Sequence, residues 1–318
     1  MALAVATLAL GVASPGSVAF SFQLGAEAPA RTPYVVVLGI AQDGGVPQAG
    51  SREHPGWKEP SARRRVVCLA IVDPVSSRRW MIEATPDFPE QLHALDTLAP
   101  VGARPGLDGI FLTHAHVGHY AGLLHLGHEV MGARAVPVHA MPRMLEFLRT
   151  NGPWEMLTRR GNIELRALQE NVPVELTPEV RIAPFRVPHR QEYSEVVGFR
   201  IQGPRRAILF LPDIDRWEDL DAMGVRIEDL IRDVDVAYLD ATFYSDGEIP
   251  GRDMSGFPHP FITRSMERFA TLPAPERDKI RFIHLNHTNP ALDARNDARR
   301  AIESRGFHVA EEMERQDL

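Results

Sequence analysis

The sequence predicts an α+β protein in which β-sheets are covered by helices. Short runs rich in β-branched and other apolar residues recur along the chain, and segments with helical apolar spacing lie between them in both halves. A chain of 318 residues with 44% hydrophobic and 24% charged residues has an ordinary globular composition and can bury a large core. We therefore expect neither an all-α nor an all-β architecture.

Strands are predicted where a short apolar run is bounded by turn-forming residues. The first contains the consecutive valines Val35, Val36 and Val37 and ends in a loop with Gly44 and Gly45. In chain order the predicted strands are 34–40, 66–72, 80–83, 107–113, 136–139, 174–187, 196–202, 207–211, 234–239 and 280–285.

Helices are predicted where apolar residues recur every three or four positions. The first of them opens with Asp87 and Pro89, residue types that are typical of a helix start. The predicted helices are 87–98, 120–131, 141–150, 217–223, 227–232, 261–269 and 294–305.

The first 30 residues differ from the rest of the chain. An apolar run from Ala2 to Val12 is followed by small residues through Ala19, and Glu27 is the only charged residue before Arg31. Such a run is too short to span a bilayer, which takes roughly 20 residues, and it is typical of a secretory signal. We expect residues 1–30 to be a signal peptide or leader and the mature chain, 31–318, to be periplasmic or secreted. Because a basic n-region is missing, a cytoplasmic protein with an N-terminal extension is the alternative.

Charge and cysteine content limit the classes of partner and metal site. The net charge of -7 argues against nucleic acid or an anionic membrane as a partner of the mature chain. We expect a small-molecule substrate, whereas composition does not indicate the oligomeric state. The single cysteine, Cys68, lies in an apolar run and is predicted to be a buried strand thiol. Any metal is therefore held by nitrogen and oxygen.

The segment Thr113 to His119 is the most informative part of the chain. His114, His116 and His119 lie within six positions, directly after an apolar run. A strand that ends in a loop can aim His114 and His116 at one point, with His119 returning from the next turn. Three converging imidazoles repel one another as cations and leave lone pairs facing one another as neutral rings. The segment therefore predicts a divalent metal site.

Further ligand-type residues follow apolar strands downstream. His189 closes one strand, Asp213 follows 207–211 directly, and another apolar strand runs into His284 and His287. Strands that each deliver one ligand-type residue to a sheet edge make a rigid site, as a metal requires.

At this point the chain resembles the metallo-β-lactamase superfamily over residues 34–289, in the order of its motifs. The resemblance implies an αββα sandwich with a metal site along one edge of the paired sheets. The implied cofactor is one or two zinc ions, with iron or manganese as alternatives. It implies one site of His114, His116 and His189, and a second of His119 and His287, with Asp213 reaching both metals.

The flanking segments are similar to those of the coenzyme PQQ synthesis protein B family. The similarity lies in 44–48 and 286–290, and the first loop also resembles that of the phosphonate-pathway cyclic phosphodiesterase. In both families this region usually continues into a cysteine cluster that serves a structural zinc. Here Ser51 stands where a cysteine is expected, so we do not expect that zinc.

Gly118 is the main departure from the superfamily pattern, which usually has a ligating aspartate at this position. Three interpretations follow: a single metal at the first site, a second metal that is loosely held, or a replacement carboxylate. Asp43, in the Gly-rich loop that lies against the metal edge in relatives, is the candidate replacement. An ordinary Asp-Gly turn explains Asp43 equally well.

Several other polar residues have open roles. His259 is a candidate catalytic donor or a structural loop residue, and Asp240 is a candidate support for a ligand or a strand-end cap. By strand alternation, His284 points away from His287 and is predicted to be a core or supporting residue. Asp215 is predicted to be a helix N-cap.

Metal-activated water makes hydrolysis of an ester, lactone or phosphoester the first functional hypothesis, with Asp213 and His259 as catalytic residues. A lone metal favours substrates with easier leaving groups. The resemblance to the PQQ synthesis protein B family implies a metal-dependent oxygenase as the alternative, with His119, His287 and Asp213 resembling a facial triad. A non-catalytic metal-binding protein is the third hypothesis.

Overall fold

The computed structural model describes residues 32–102 and 106–318, and the predicted leader lies outside these ranges. Within them, the first sheet has seven strands in the spatial order β14, β1, β2, β3, β4, β5, β6. Neighbours from β14 to β3 pair antiparallel, and those from β3 to β6 pair parallel. These strands are β1 (Tyr34–Gly39), β2 (Cys68–Asp73), β3 (Arg78–Ile82), β4 (Gly109–Phe111), β5 (Val136–Ala140), β6 (Ile163–Ala167) and β14 (Arg315–Asp317).

The second sheet of the described residues also has seven strands, in the order β13, β12, β11, β10, β9, β8, β7. Its strands pair parallel from β13 to β10 and antiparallel from β10 to β7. They are β7 (Val174–Glu175), β8 (Arg181–Arg186), β9 (Val197–Gln202), β10 (Ala207–Leu211), β11 (Val236–Asp240), β12 (Ile280–Ile283) and β13 (His308–Val309).

Helices cover the outer face of each sheet. On the first sheet lie α1 (Phe88–Leu98), α2 (Val117–Tyr120), α3 (Pro142–Thr150) and α4 (Trp154–Arg159), whose apolar residues share a buried cluster with outward-facing strand residues. On the second lie α5 (Trp217–Ala222), α6 (Ile227–Arg232), α7 (Ile262–Arg268) and α9 (Asp297–Ser304). The short α8 is Ala274–Arg277.

The inner faces of the two sheets pack on each other. Strand alternation sends Val35 and Val37 of β1 into the core between the sheets, whereas Val36 faces the helices, and all three are fully buried. Phe111 and Phe199 meet across this core with ring centroids 5.8 Å apart. The layers are therefore helix, sheet, sheet, helix, which confirms the predicted αββα sandwich.

Two predicted elements differ from the structure for identifiable reasons. The predicted helix 120–131 is the single turn α2 followed by a 3-10 helix, Ala121–Leu126. The Ala84 amide donates to His119 O and the Gly122 amide donates to Ala84 O, so these groups do not continue an α-helix. The predicted strand 174–187 is a hairpin of β7 and β8, because a turn between Thr177 and Val180 interrupts it. The elements α4, α8, β6, β13 and β14 were not predicted.

The ends of strands from both sheets meet at one edge of the sandwich. There the chain after β1 joins the sheets, because Ala41 forms isolated bridges with both Val66 and Leu285. Among residues 32–102 and 106–318, no helix has the length and hydropathy to cross a membrane.

Candidate metal centre

Loops at this edge carry the predicted ligand residues. His114 and His116 follow β4, and His119 lies in α2. His189 follows β8, and Asp213 follows β10. Because the apolar strands before them are buried in the sandwich, the positions of these side chains are set by rigid elements.

The first ligand group consists of His114, His116, His189 and Asp213, whose candidate ligand atoms all lie within 4.8 Å of one another. Asp213 is central: its Oδ2 is 3.4 Å from His114 Nε2, and its Oδ1 is 3.3 Å from His189 Nε2. His189 Nε2 also lies 3.2 Å from His116 Nδ1. The structure thus brings together the residues that the sequence assigned to the first site.

The outer nitrogens of the first ligand group have partners that orient the rings. His114 Nδ1 lies 2.9 Å from Thr113 Oγ1, and His189 Nδ1 lies 2.7 Å from Asp215 Oδ1. An ionised carboxylate only accepts hydrogen bonds, so Nδ1 of His189 carries a proton, and Nε2 is the ring nitrogen that faces Asp213. Asp215 is not the predicted helix cap, since Arg216 occupies the N-cap position of α5.

The second ligand group consists of Asp43, His119 and His284, which also lie within 4.8 Å by their ligand atoms. His119 Nε2 is 3.2 Å from Asp43 Oδ1 and 3.6 Å from Asp213 Oδ2. His284 Nε2 is 3.8 Å from the same Asp213 oxygen. Asp213 therefore lies between the two groups, the place that the family resemblance implied for it.

The structure places His284, and not His287, beside Asp213, which reverses the expectation for this pair. His284 has a φ of +66°, so the chain leaves the extended conformation directly after β12 and strand alternation no longer predicts its direction. Its ring is fully buried. His287 lies instead in the wall of a neighbouring cavity of about 630 Å³, together with His54 and Arg64.

Glu83 is a buried carboxylate beside His119 that was not among the predicted site residues. Its Oε1 lies 3.2 Å from His119 Nδ1, and its Oε2 accepts a hydrogen bond from the Thr113 amide. Glu83 also has an unusual backbone conformation, with a φ of +82°. Its position at the end of the predicted strand 80–83 is the signal that could have identified it, since Asp213 was found by the same pattern.

Asp240 orients neighbouring side chains of the centre through hydrogen bonds. Its Oδ2 accepts from the Ile214 amide and from His259 Nδ1, at 3.0 and 2.8 Å. Its Oδ1 accepts from the amide and the hydroxyl of Thr242, and Thr242 Oγ1 in turn accepts from His284 Nδ1 at 2.9 Å. With both oxygens occupied, Asp240 orients His259 and, through Thr242, His284.

Five buried side-chain atoms around Asp213 have no hydrogen-bond partner. They are Asp43 Oδ1, His114 Nε2, His119 Nε2, Asp213 Oδ1 and His284 Nε2. Unpaired buried polar atoms each cost about 1–3 kcal/mol and are rare in native proteins. Because these atoms converge on one space and include two carboxylates, the missing partner has the character of a cation. The residues present therefore fit a bound divalent metal.

The electrostatics of the centre agree with this interpretation. Burial lowers the pKa of His114 well below its usual value and also lowers that of His116, so both rings are neutral and able to ligate. Burial alone would raise the pKa of Asp213, but the neighbouring His284 and His189 hold it well below its usual value. For His119, burial lowers the pKa, but the surrounding carboxylates, Glu83 first, raise it overall. The space near its Nε2 thus favours positive charge.

His259, predicted as a catalytic residue, is buried in this centre, and its candidate ligand atom lies within 4.8 Å of those of Asp213, Asp240 and His284. Its Nδ1 is 3.3 Å from Asp213 Oδ1 in addition to its contact with Asp240. Burial opposes protonation, but the charge of Asp240 and its hydrogen bond raise the pKa of His259 to about 9.

The loop around Ser51, in which no structural zinc was expected, is closed by hydrogen bonds. Ser51 Oγ donates to Gln48 O, and Trp57 Nε1 donates to Ser51 O. Cys68, the one cysteine of the chain, is buried in β2 and is not part of this loop.

Comparisons with known proteins agree with the fold. Coenzyme PQQ synthesis protein B of Xanthomonas campestris pv. campestris (strain B100) is 24% identical over 304 residues, which covers 87% of this chain and 97% of that protein. The protein of the same name from Methylobacterium sp. (strain 4-46) is 26% identical over 302 residues, 86% of this chain and 96% of its own length.

Solved structures show the same architecture. Zn²⁺-bound PqqB from Methylobacterium extorquens superposes with a TM-score of 0.74 at 25% identity, covering 90% of this chain and all of that one (100%). A diphosphatase of the PhnP family has a TM-score of 0.62 at 20% identity, with 90% and 97% of the chains covered, and supports the fold alone. The family model described as a β-lactamase superfamily domain matches residues 78–301. The chain therefore belongs to the β-lactamase superfamily and has the metallo-β-lactamase fold.

Proposed function

We propose that the protein is a metal-dependent hydrolase that cleaves an ester, lactone or phosphoester bond of a small molecule with water activated at the first ligand group. The observation that carries the proposal is the convergence of three imidazoles and Asp213 within 4.8 Å. A nitrogen and oxygen donor set of this kind suits zinc, and also iron or manganese. When bound, a divalent metal supplies Lewis acidity and, near neutral pH, a nucleophile derived from water.

The residues around the metal position have distinct roles in this proposal. His114, His116 and His189 would hold the metal through their ring nitrogens, and Thr113 and Asp215 keep two of these rings turned towards it. Rigid strand ends keep the donor atoms in place, so little reorganisation is needed during the reaction.

Asp213 and His259 supply the proton chemistry. Asp213 faces the same space as the ligands and can accept a proton from the attacking water. His259 is oriented by its 2.8 Å contact with Asp240, which leaves Nε2 as the nitrogen that can donate a proton to the leaving oxygen. This pairing of an acceptor with an oriented donor is what hydrolysis of an ester or phosphoester requires.

Metal analysis combined with an activity screen tests the proposal. The purified full-length chain, loaded separately with zinc, manganese and iron, is assayed on chromogenic carboxylic esters, phosphodiesters and lactones. We expect turnover with at least one metal, and a loss of 10²-fold or more in kcat for His116→Ala and Asp213→Asn. The matched control is His128→Ala, because His128 is exposed and pairs only with Glu129 among the contacts described. Full activity in His116→Ala, or no turnover in any metal-loaded form, would overturn the proposal.

A metal-dependent oxygenase is the second candidate. The observation that favours it is the second ligand group, since Asp43, His119 and His284 form a set of two histidines and one carboxylate like that of non-haem iron sites. The similarity to coenzyme PQQ synthesis protein B supports it as well. The discriminating measurement is oxygen consumption by the Fe(II)-loaded chain with tyrosine-derived aromatic compounds. Consumption that depends on His119, together with an absence of hydrolysis, would select this candidate.

A further inference from the structure

We propose that Asp43 replaces the carboxylate that this chain lacks at position 118, and that Gly118 is retained because Asp43 occupies the space its side chain would need. A second metal would then be held by Asp43, His119 and His284, with Asp213 shared between the two metals. The inference concerns metal binding and does not depend on which reaction the centre catalyses.

Sterics make the two positions mutually exclusive. A Cβ atom built on Gly118 would lie 2.2 Å from Asp43 Oδ1 and 2.5 Å from Asp43 Cα. Non-bonded carbon atoms do not approach so closely, and the second of these contacts is with backbone, which cannot rotate away. Any side chain at position 118 must therefore displace Asp43 and the loop that carries it.

The backbone conformation does not explain the glycine. Gly118 does not have a positive φ. It lies in α2, where other residues adopt the same conformation without strain. Glycine in a helix costs about 0.5–1 kcal/mol relative to alanine. The close approach of Asp43 is thus the feature of the structure that accounts for Gly118.

The loop carrying Asp43 is fixed at the junction of the two sheets. The Gln42 amide donates to Leu285 O at 2.9 Å, and its side-chain oxygen accepts from Asn286 Nδ2 at 2.6 Å. The Gly45 amide closes the turn on Gln42 O at 2.8 Å. Asp43 is therefore held on the chain segment next to His284, whereas an ordinary Asp-Gly turn would not require these contacts.

The donor chemistry around Asp43 suits a cation. Asp43 Oδ1 and His119 Nε2 are 3.2 Å apart, and both are buried without a hydrogen-bond partner. His284 donates through Nδ1 to Thr242, so its Nε2 lone pair faces Asp213, which is itself an acceptor. Two carboxylates and two imidazoles give four donors, which is the number that a tetrahedral zinc site uses.

The test counts bound metal in the full-length protein. Zinc per chain is measured by inductively coupled plasma mass spectrometry after dialysis, and binding is followed with Co²⁺ absorption. We expect two equivalents in the natural chain, one in Asp43→Asn and one in Gly118→Ala. Asp43→Asn preserves the shape of the side chain and removes only its charge, so we expect this variant to fold.

Gly118→Ala tests the steric part of the inference, and Asp43→Asn keeps the inference falsifiable if Gly118→Ala does not fold. A single added methyl group should displace Asp43 and leave one equivalent. The matched control is Gly256→Ala, because a Cβ there meets nothing within 4 Å and φ is not in the left-handed region. The inference is overturned if the natural chain binds one equivalent, or if Asp43→Asn or Gly118→Ala still binds two. The proposed hydrolase survives that outcome, since it needs only the first ligand group.

Discussion

Removing the Asp215 carboxylate should weaken metal binding at the first ligand group without unfolding the protein. Asp215 Oδ1 accepts from His189 Nδ1 at 2.7 Å, and the side-chain exposures are 26% for Asp215 and 1% for His189. Loss of such a supporting partner typically costs 10- to 100-fold in metal affinity, or about 1.4–2.7 kcal/mol. Because Asp215 is partly exposed and water can replace it, we expect a value near the lower end, about 10-fold for Asp215→Ala.

The assay is a zinc competition titration with a chromophoric chelator. Asp215→Asn keeps an acceptor but loses the charge, so its dissociation constant should lie between those of the natural chain and Asp215→Ala. The control is Asp278→Ala, which removes the same type of partner from His308, a surface histidine with its Nε2 2.8 Å from Asp278. Unchanged zinc affinity in Asp215→Ala, or equal weakening in Asp278→Ala, would refute the reasoning.

Four further predictions concern the second ligand group, the core, the pH dependence of stability and the N-terminal leader. His284→Ala should reduce the metal bound per chain whereas His287→Ala should not, as measured by mass spectrometry of the dialysed proteins. Phe199→Ala should lower the free energy of unfolding by about 3–5 kcal/mol in urea titrations, because the ring is fully buried between the sheets. Burial lowers the pKa of His139 to about 4 from 6.5, so its contribution to stability is complete above pH 6.5 and is lost as the pH falls towards 4. The melting temperature of His139→Gln should therefore fall less than that of the natural chain between pH 7 and pH 4. If residues 1–30 are a signal peptide, the exported protein should begin between positions 20 and 31, which N-terminal sequencing of a periplasmic extract measures.

Strand-end ligands could be predicted because both parts of their pattern are local in sequence. An apolar run that ends in a histidine or carboxylate identifies a buried strand and a donor at its end, as for His114 and Asp213. The α+β class was predicted for the same reason, since each strand and helix is specified mostly by its own residues, whereas the αββα sandwich was implied by the family resemblance. The two-residue strand β13 and the one-turn helix α8 are too short to carry a periodicity.

His284 could not be predicted because its direction depends on tertiary contacts. Counting alternate positions along β12 fails where the backbone enters the left-handed region, which a non-glycine residue adopts at a cost of about 1–3 kcal/mol. That conformation is compensated by the Leu285 backbone, which pairs with Ile40 and Gln42 of a distant segment. This pairing between distant segments produces no periodic pattern in the sequence, so it could not be predicted.

Gly118 shows that a motif can lack a ligand residue while a residue from another loop supplies a ligand at the same place in the structure. The glycine by itself is compatible with a lost metal site, a weak metal site or a carboxylate supplied by another residue. None of these alternatives needs an aspartate at position 118. These alternatives differ in one quantity, the free space around the glycine. Space left by a lost ligand would be open, whereas the Cβ position of Gly118 lies 2.2 Å from an Asp43 oxygen aimed at His119. If the carboxylate has moved between loops in this way, the effects of substitutions at positions 43 and 118 on metal binding must be strongly non-additive, as is expected of residues that compete for one volume.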